Sequence, residues 1–221
     1  MILNIFSFVY TFNLCIVGSK SGLGSELVYQ GLQDNKNILA LSKNNDKVMF
    51  PYRGGGLDLK STNEFIENDN LQTDNYQNFN KYKFDNIIFT MGGKPFIDDY
   101  SAIITENILS NKNNNLKNIV LISAFGAGET LQNANVGIKV MNNLYLKSVY
   151  EAKNQQETII NEYKKNNDNV NILILRPKVL SYGKTKSLRP KVLSYGKTKS
   201  IYNAKSRQQL ATEILQTIKN S

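Results

Sequence analysis

A chain of 221 residues, 41% of them hydrophobic, is long enough for one sizeable core and short for two, so a single domain is expected. It has no histidine and one cysteine, Cys15, which excludes serine–histidine catalysis and an internal disulfide and removes the commonest metal ligand. The formal net charge of +9 favours anionic ligands, but the basic residues are dispersed, the pattern of a solvated basic surface and not of a nucleic-acid groove.

Residues 1–13, MILNIFSFVYTFN, are apolar and aromatic and carry no lysine or arginine. A secretory signal needs a basic start and a small-residue cleavage site. Residues 1–12 therefore read as an uncleaved extension of one domain spanning 13–221. A cytoplasmic location is expected, with an organellar, plastid-type one the alternative if these residues are a leader. No apolar run reaches the roughly 18 residues of a membrane-crossing helix.

The stretch Leu14 to Leu27, LCIVGSKSGLGSEL, joins a short apolar strand to a helical pattern with Leu23, Leu27, Val28 and Leu32 on one face. Between them lie Gly18, Gly22 and Gly24, the glycine turn of a nucleotide-binding βαβ unit. Gly18 lets the chain leave the strand sharply, Gly22 lets backbone approach a pyrophosphate, and Gly24 lets helix pack closely on strand. The helix start then offers N–H groups and a positive dipole end to the phosphates.

A second strand over Asn37 to Leu41 is followed by Lys43, where such folds contact the adenosine ribose. A cation there suits a 2′-phosphate, so NADP is favoured over NAD; the alternative is an ordinary surface lysine. Lys47 to Tyr52 reads as a short strand. Asp58 and Leu59 then lie at a strand end beside an adenine pocket, or Asp58 caps a helix through Ser61 to Ile66. Polar residues 67–83 read as a surface loop.

Phe84 to Thr90 is the clearest central strand, and Met91, Gly92 and Gly93 after it permit close backbone approach to a dinucleotide. A helix over Ala102 to Leu109 leads to the strand Lys117 to Ser123, which delivers Ser123 to the ligand-binding rim. The longest helical pattern runs from Asn142 to Tyr163. Val170 to Leu175 is a strand stopped at Arg176-Pro177, and Ser206 to Ile218 is a final amphipathic helix.

The alternation predicts an α/β chain: one doubly wound, Rossmann-like domain with a mostly parallel sheet whose central strands include Leu14–Val17, Ile38–Leu41, Ile87–Thr90, Ile119–Ile122 and Ile172–Leu175. One irregularity interrupts it. LRPKVLSYGKTKS occurs at 175–187 and again, letter for letter, at 188–200. The first copy completes a strand with Leu175; the second follows a polar segment and is expected as an exposed, poorly ordered insertion outside the central sheet.

In their order and spacing, VGSKSGLG (17–24), ALSKNNDKV (40–48), LDL (57–59), IIFTMGG (87–93), VLISAFGAGE (120–129), AKNQQETII (152–160), ILRPKVLSYGKTKS (174–187) and SRQQLATEIL (206–215) resemble the atypical short-chain dehydrogenase/reductases. The likeness is to the NmrA-like NAD(P)-binding group with flavin- and biliverdin-reductase-like members, and it covers roughly Asn13 to the C-terminus. It implies a cofactor lying over Gly18, Ser19, Lys20, Ser21, Gly22, Leu23 and Gly24, with Lys43, Asp58, Leu59, Met91, Gly92 and Gly93 around it. It also puts Ser123 and Lys153 at the usual catalytic serine and lysine positions.

The usual tyrosine, four residues before the lysine, is Val149 here. The neighbouring Tyr150 is turned about 100° around the helix and does not substitute in place. The resemblance thus implies an NAD(P)H-binding oxidoreductase without that tyrosine. Its acceptor is not identified by sequence; hydride delivery to a flavin- or quinone-like acceptor, which can take its proton from water, needs only positioning by the protein. The alternative is a non-catalytic, dinucleotide-sensing regulatory or protein-interaction module.

Overall fold

Unbroken apolar runs such as Leu14–Val17 suit strands covered on both faces. The computed structural model describes residues 10–52, 62–92, 100–111, 116–132, 146–177, 180–181, 192–195, 198–201 and 205–220. In chain order they form β1 (Tyr10–Phe12), β2 (Leu14–Val17), α1 (Gly22–Gln33), β3 (Ile38–Ser42), β4 (Leu71–Asn75), β5 (Tyr82–Phe84), β6 (Asn86–Phe89) and α2 (Ser101–Leu109). There follow β7 (Asn118–Ile122), α3 (Lys147–Lys165), β8 (Asn171–Leu175), β9 (Leu180–Ser181), β10 (Val192–Tyr195), β11 (Thr198–Ile201), β12 (Lys205–Ser206) and α4 (Arg207–Lys219).

Six strands make one all-parallel sheet in the order β4-β3-β2-β6-β7-β8. Numbered along the chain, that is the 3-2-1-4-5-6 order of a doubly wound Rossmann sheet. All five strands expected to be central lie in it, four of them inside and the fifth, β8, at the edge.

Alternation along each strand divides the core in two. Leu14, Ile16, Ile38, Ala40, Ile88, Val120 and Leu175 face α1 and α4, which contribute Leu27, Val28, Leu210 and Ile214. Cys15, Val17, Leu39, Leu41, Phe89, Leu121 and Ile174 face α2 and α3, which contribute Ile104, Ile108 and Ile160. Burial pushes the Cys15 thiol well above its ordinary value, so it stays a protonated core side chain.

Several local expectations change. Residues 67–83 are not a loop: Leu71–Asn75 is the edge strand β4, and a 3₁₀ turn over Tyr76–Lys81 leads into β5. The turn is organised by Asp74, whose carboxylate accepts from Tyr82 Oη at 2.6 Å, Asn78 Nδ2 at 2.9 Å and the Asn75 amide at 2.6 Å. Burial alone would raise the Asp74 carboxyl, but these hydrogen bonds and nearby Lys81 hold it below its ordinary value.

Lys47–Tyr52 is not a strand; Met49 makes only an isolated antiparallel bridge to Phe65, and the described residues 62–66 are not helical. The apolar side chains there serve packing instead, with Val48 in the core and Phe50 edge-on to Tyr29 of α1 at 4.9 Å. Pro51 also has no N–H to continue a ladder.

Residues 10–12, assigned on sequence to the extension, pair in parallel with β5, and Phe12 packs edge-on against Tyr82 at 5.6 Å. In the second copy of the duplication, β10 and β11 pair as an antiparallel hairpin instead of lacking regular structure. The sequence puts two residues, Gly196 and Lys197, between these strands, the spacing of a tight hairpin with glycine first. The hairpin is outside the six-stranded sheet, although β11 runs beside β8. No helix among the described residues is long and apolar enough to cross a membrane.

Candidate functional site

The strand order reverses between β2 and β6, and the glycine turn follows β2 at that point. Gly18 has φ +92°, and a Cβ there would lie 2.8 Å from Met91 N and 2.9 Å from Thr90 Oγ1. Thr90, just past β6, donates its hydroxyl to Val17 O and Gly18 O, both at 3.0 Å. The turn is thus seated against the rim of the neighbouring strand. A Cβ on Gly24 would come within 2.2 Å of Gly18 O, so its glycine is what allows α1 to approach β2 this closely.

Gly22 differs from both. Its φ is +65°, and the only described heavy atom within 4 Å of its Cβ direction is Arg207 Nε at 3.7 Å. Ser21, at the N-cap of α1, makes no side-chain capping hydrogen bond, and the first turn contains no acidic residue. The other side chains of the turn are used within the protein. Ser19 Oγ donates to Leu41 O at 3.2 Å, Lys20 pairs with Asp46 at 3.0 Å, and Leu23 is in the core.

Lys43 is exposed just beyond β3, with Nζ 6.0 Å from the centroid of the Tyr100 ring. Its carbonyl accepts from Asn75 Nδ2 at the end of β4. The strand beside β3 thus ends at Asp74-Asn75. Asp58, Leu59 and Gly93 lie outside the described residues. Gly92 is exposed, with nothing within 4 Å of its Cβ direction.

Ser123 and Lys153 are both buried at the carboxyl ends of β6 and β7. Lys153 Nζ donates to Met91 O, to Ile122 O at 3.0 Å and to Gln156 Oε1 at 2.9 Å, so its three protons have acceptors and it braces the rims of both strands. Gln156 carries the tie on to α2, donating to Thr105 Oγ1 at 2.8 Å.

Ser123 Oγ donates to Glu157 Oε1 at 2.5 Å. Glu157 is held in turn by a two-pronged pair with Arg176, Nε to Oε1 at 2.9 Å and Nη2 to Oε2 at 2.7 Å. Both partners are buried, Arg176 at 2% and Glu157 at 5% exposure. A carboxylate in such a pair only accepts, so the single Ser123 proton is committed to it and Ser123 presents lone pairs to anything else. Tyr150 Oη donates to Phe125 O at 2.9 Å, and Asn154 Oδ1 accepts from Gly128 N at 2.7 Å, which fixes the loop after β7 onto α3.

Sequence reading missed Thr90, Glu157, Arg176 and Arg207. A signal existed for Glu157, which lies one helical turn after Lys153 and so on the same face of α3.

Residues 18–221 match the model of a family described as NAD(P)H-binding. The chain belongs to the NAD(P)H-binding family. No curated protein sequence matches it. Its fold is that of ChuY, an anaerobillin reductase from Escherichia coli O157:H7, at 13% identity over 92% of this chain and 89% of that one, with a TM-score of 0.61. The oxidoreductase ylbE from Lactococcus lactis is similar at 15% identity over 93% and 97% of the two chains, TM-score 0.57. The Bordetella bronchiseptica enzyme WbmH in complex with NAD+ is similar at 11% identity over 95% and 73%, TM-score 0.58. At these identities the likeness is one of fold.

The glycine turn of this NAD(P)H-binding chain fits a dinucleotide. Gly18 and Gly24 are filled by packing, while Gly22 leaves open space at an uncapped helix start, where phosphate oxygens can meet backbone N–H groups.

Proposed function

We propose that the chain binds NADPH across the glycine turn and serves as an oxidoreductase whose acceptor takes its proton from water. When bound, the reduced dinucleotide supplies the hydride. The observation that carries this reading is the open cradle at Gly22, beside the switch point of the sheet, in a chain of the NAD(P)H-binding family.

Each residue then has a limited task. Ser123 orients the nicotinamide end or the acceptor by accepting a hydrogen bond, since its proton goes to Glu157. Lys153 shapes the floor by bracing Met91 O and Ile122 O; direct hold on a ribose hydroxyl requires exchange of one of its three acceptors. With Val149 at the tyrosine position and Tyr150 turned to Phe125 O, neither residue supplies the usual tyrosine proton. Carbonyl reduction by a tyrosine acid is therefore not part of the proposal.

Those same committed protons favour a second reading, a dinucleotide-binding regulatory module without turnover. Oxidation of NADPH by a flavin or quinone dye supports the first reading; tight binding with no oxidation by any such acceptor supports the second.

Coenzyme choice is assigned to Lys43. Replacing attraction by repulsion beside a 2′-phosphate in Lys43→Asp is expected to weaken NADPH about tenfold and leave NADH within about twofold. Calorimetric titration of both coenzymes checks it. Equal losses for the two would make Lys43 an ordinary surface lysine.

A further inference from the structure

We propose that Arg207, the first residue of α4, binds the pyrophosphate of the dinucleotide where it rests on Gly22; this rests on the dinucleotide reading above. Gly22 leaves one open direction, and the described atom found there is Arg207 Nε, 3.7 Å from the Cβ direction. Whatever rests on Gly22 therefore also meets the guanidinium.

The position of Arg207 is fixed by its surroundings. Ser206 caps α4, its Oγ accepting from Gln209 N at 3.1 Å while Gln209 Oε1 accepts from Ser206 N at 3.4 Å. The helix is docked on α1, with Gln30 Nε2 donating to Gln208 O at 3.0 Å and Thr212 Oγ1 donating to Gln30 Oε1 at 2.9 Å. Neither α1 nor α4 has an acidic residue in its first turn. The positive end of α1 and the Arg207 guanidinium thus meet at Gly22.

A guanidinium presents five donors in a rigid fork that matches the paired oxygens of a diphosphate, enough to serve a protein partner and a phosphate together. Binding there would link the last helix of the chain to its first turn.

The test is calorimetric titration of the full chain with NADPH, NADH and ADP-ribose, which share the pyrophosphate and little else in common charge. Arg207→Gln is expected to weaken all three by the same factor, about tenfold or more, the usual size for charge-assisted hydrogen bonds. Arg207→Lys keeps the charge and stem but not the fork, and is expected to weaken all three several-fold. It also serves if the glutamine variant does not fold. Unchanged affinity in a folded variant overturns the proposal, as does a loss confined to NADPH, which would put Arg207 on the 2′-phosphate. Wild-type protein that binds none of the three overturns the dinucleotide reading itself, and this inference with it.

Discussion

Gly24→Ala is expected to cost at least about 3 kcal/mol of folding stability, the upper end of overpacking penalties. The new Cβ would lie 2.2 Å from Gly18 O and 2.9 Å from Ser19 Cα. Both obstacles are backbone, so no rotamer change relieves them. The turn is further pinned by Thr90 and by Gly18 N, which donates to Leu41 O at 2.9 Å. Moving α1 away would also open the core around Leu27 and Val28. Urea unfolding followed by far-UV circular dichroism measures the loss, and a variant as stable as wild type would mean that α1 is not this close to β2.

Arg176→Met is expected to destabilise by roughly 3–5 kcal/mol, the cost of leaving a buried charge without its partner. Glu157 would keep the Ser123 hydroxyl on Oε1 but lose the guanidinium, in a site that is 5% exposed. Replacing both partners, as Glu157→Leu with Arg176→Met, is expected to recover much of the loss, because no buried charge remains. Denaturant midpoints of the two variants decide it. Equal destabilisation by the single and the double change would contradict a paired, buried network.

The frame of the fold was legible because the inner strands β3, β2, β6 and β7 are covered on both faces, so that runs such as CIV and NIVLI are apolar without interruption. β4 was not. As an edge strand with half-exposed residues, LQTDN carries neither an apolar run nor a clean alternation. The opposite error came from VMFPY, whose apolar side chains pack on α1 without forming a ladder. That missed strand, β4, ends at Asp74-Asn75, beside the Lys43 carbonyl.

The glycine turn was legible because steric demands at Gly18 and Gly24 and the positive φ at Gly22 are imposed locally. The polar network was not, because Ser123, Glu157 and Arg176 come from three separate segments and are joined only by tertiary packing. Arg207 reaches Gly22 for the same reason, through the docking of the last helix on the first.

Dinucleotide binding at the glycine turn is tested most directly by calorimetric titration of NADPH into wild type and Gly22→Val. A branched side chain at φ +65° strains the backbone by about 1–3 kcal/mol, which a typical domain survives, and fills the open approach to the helix start. The expected result is saturable binding by wild type and a loss of at least about a hundredfold in a variant that keeps its circular dichroism spectrum. Wild-type affinity in folded Gly22→Val would contradict it.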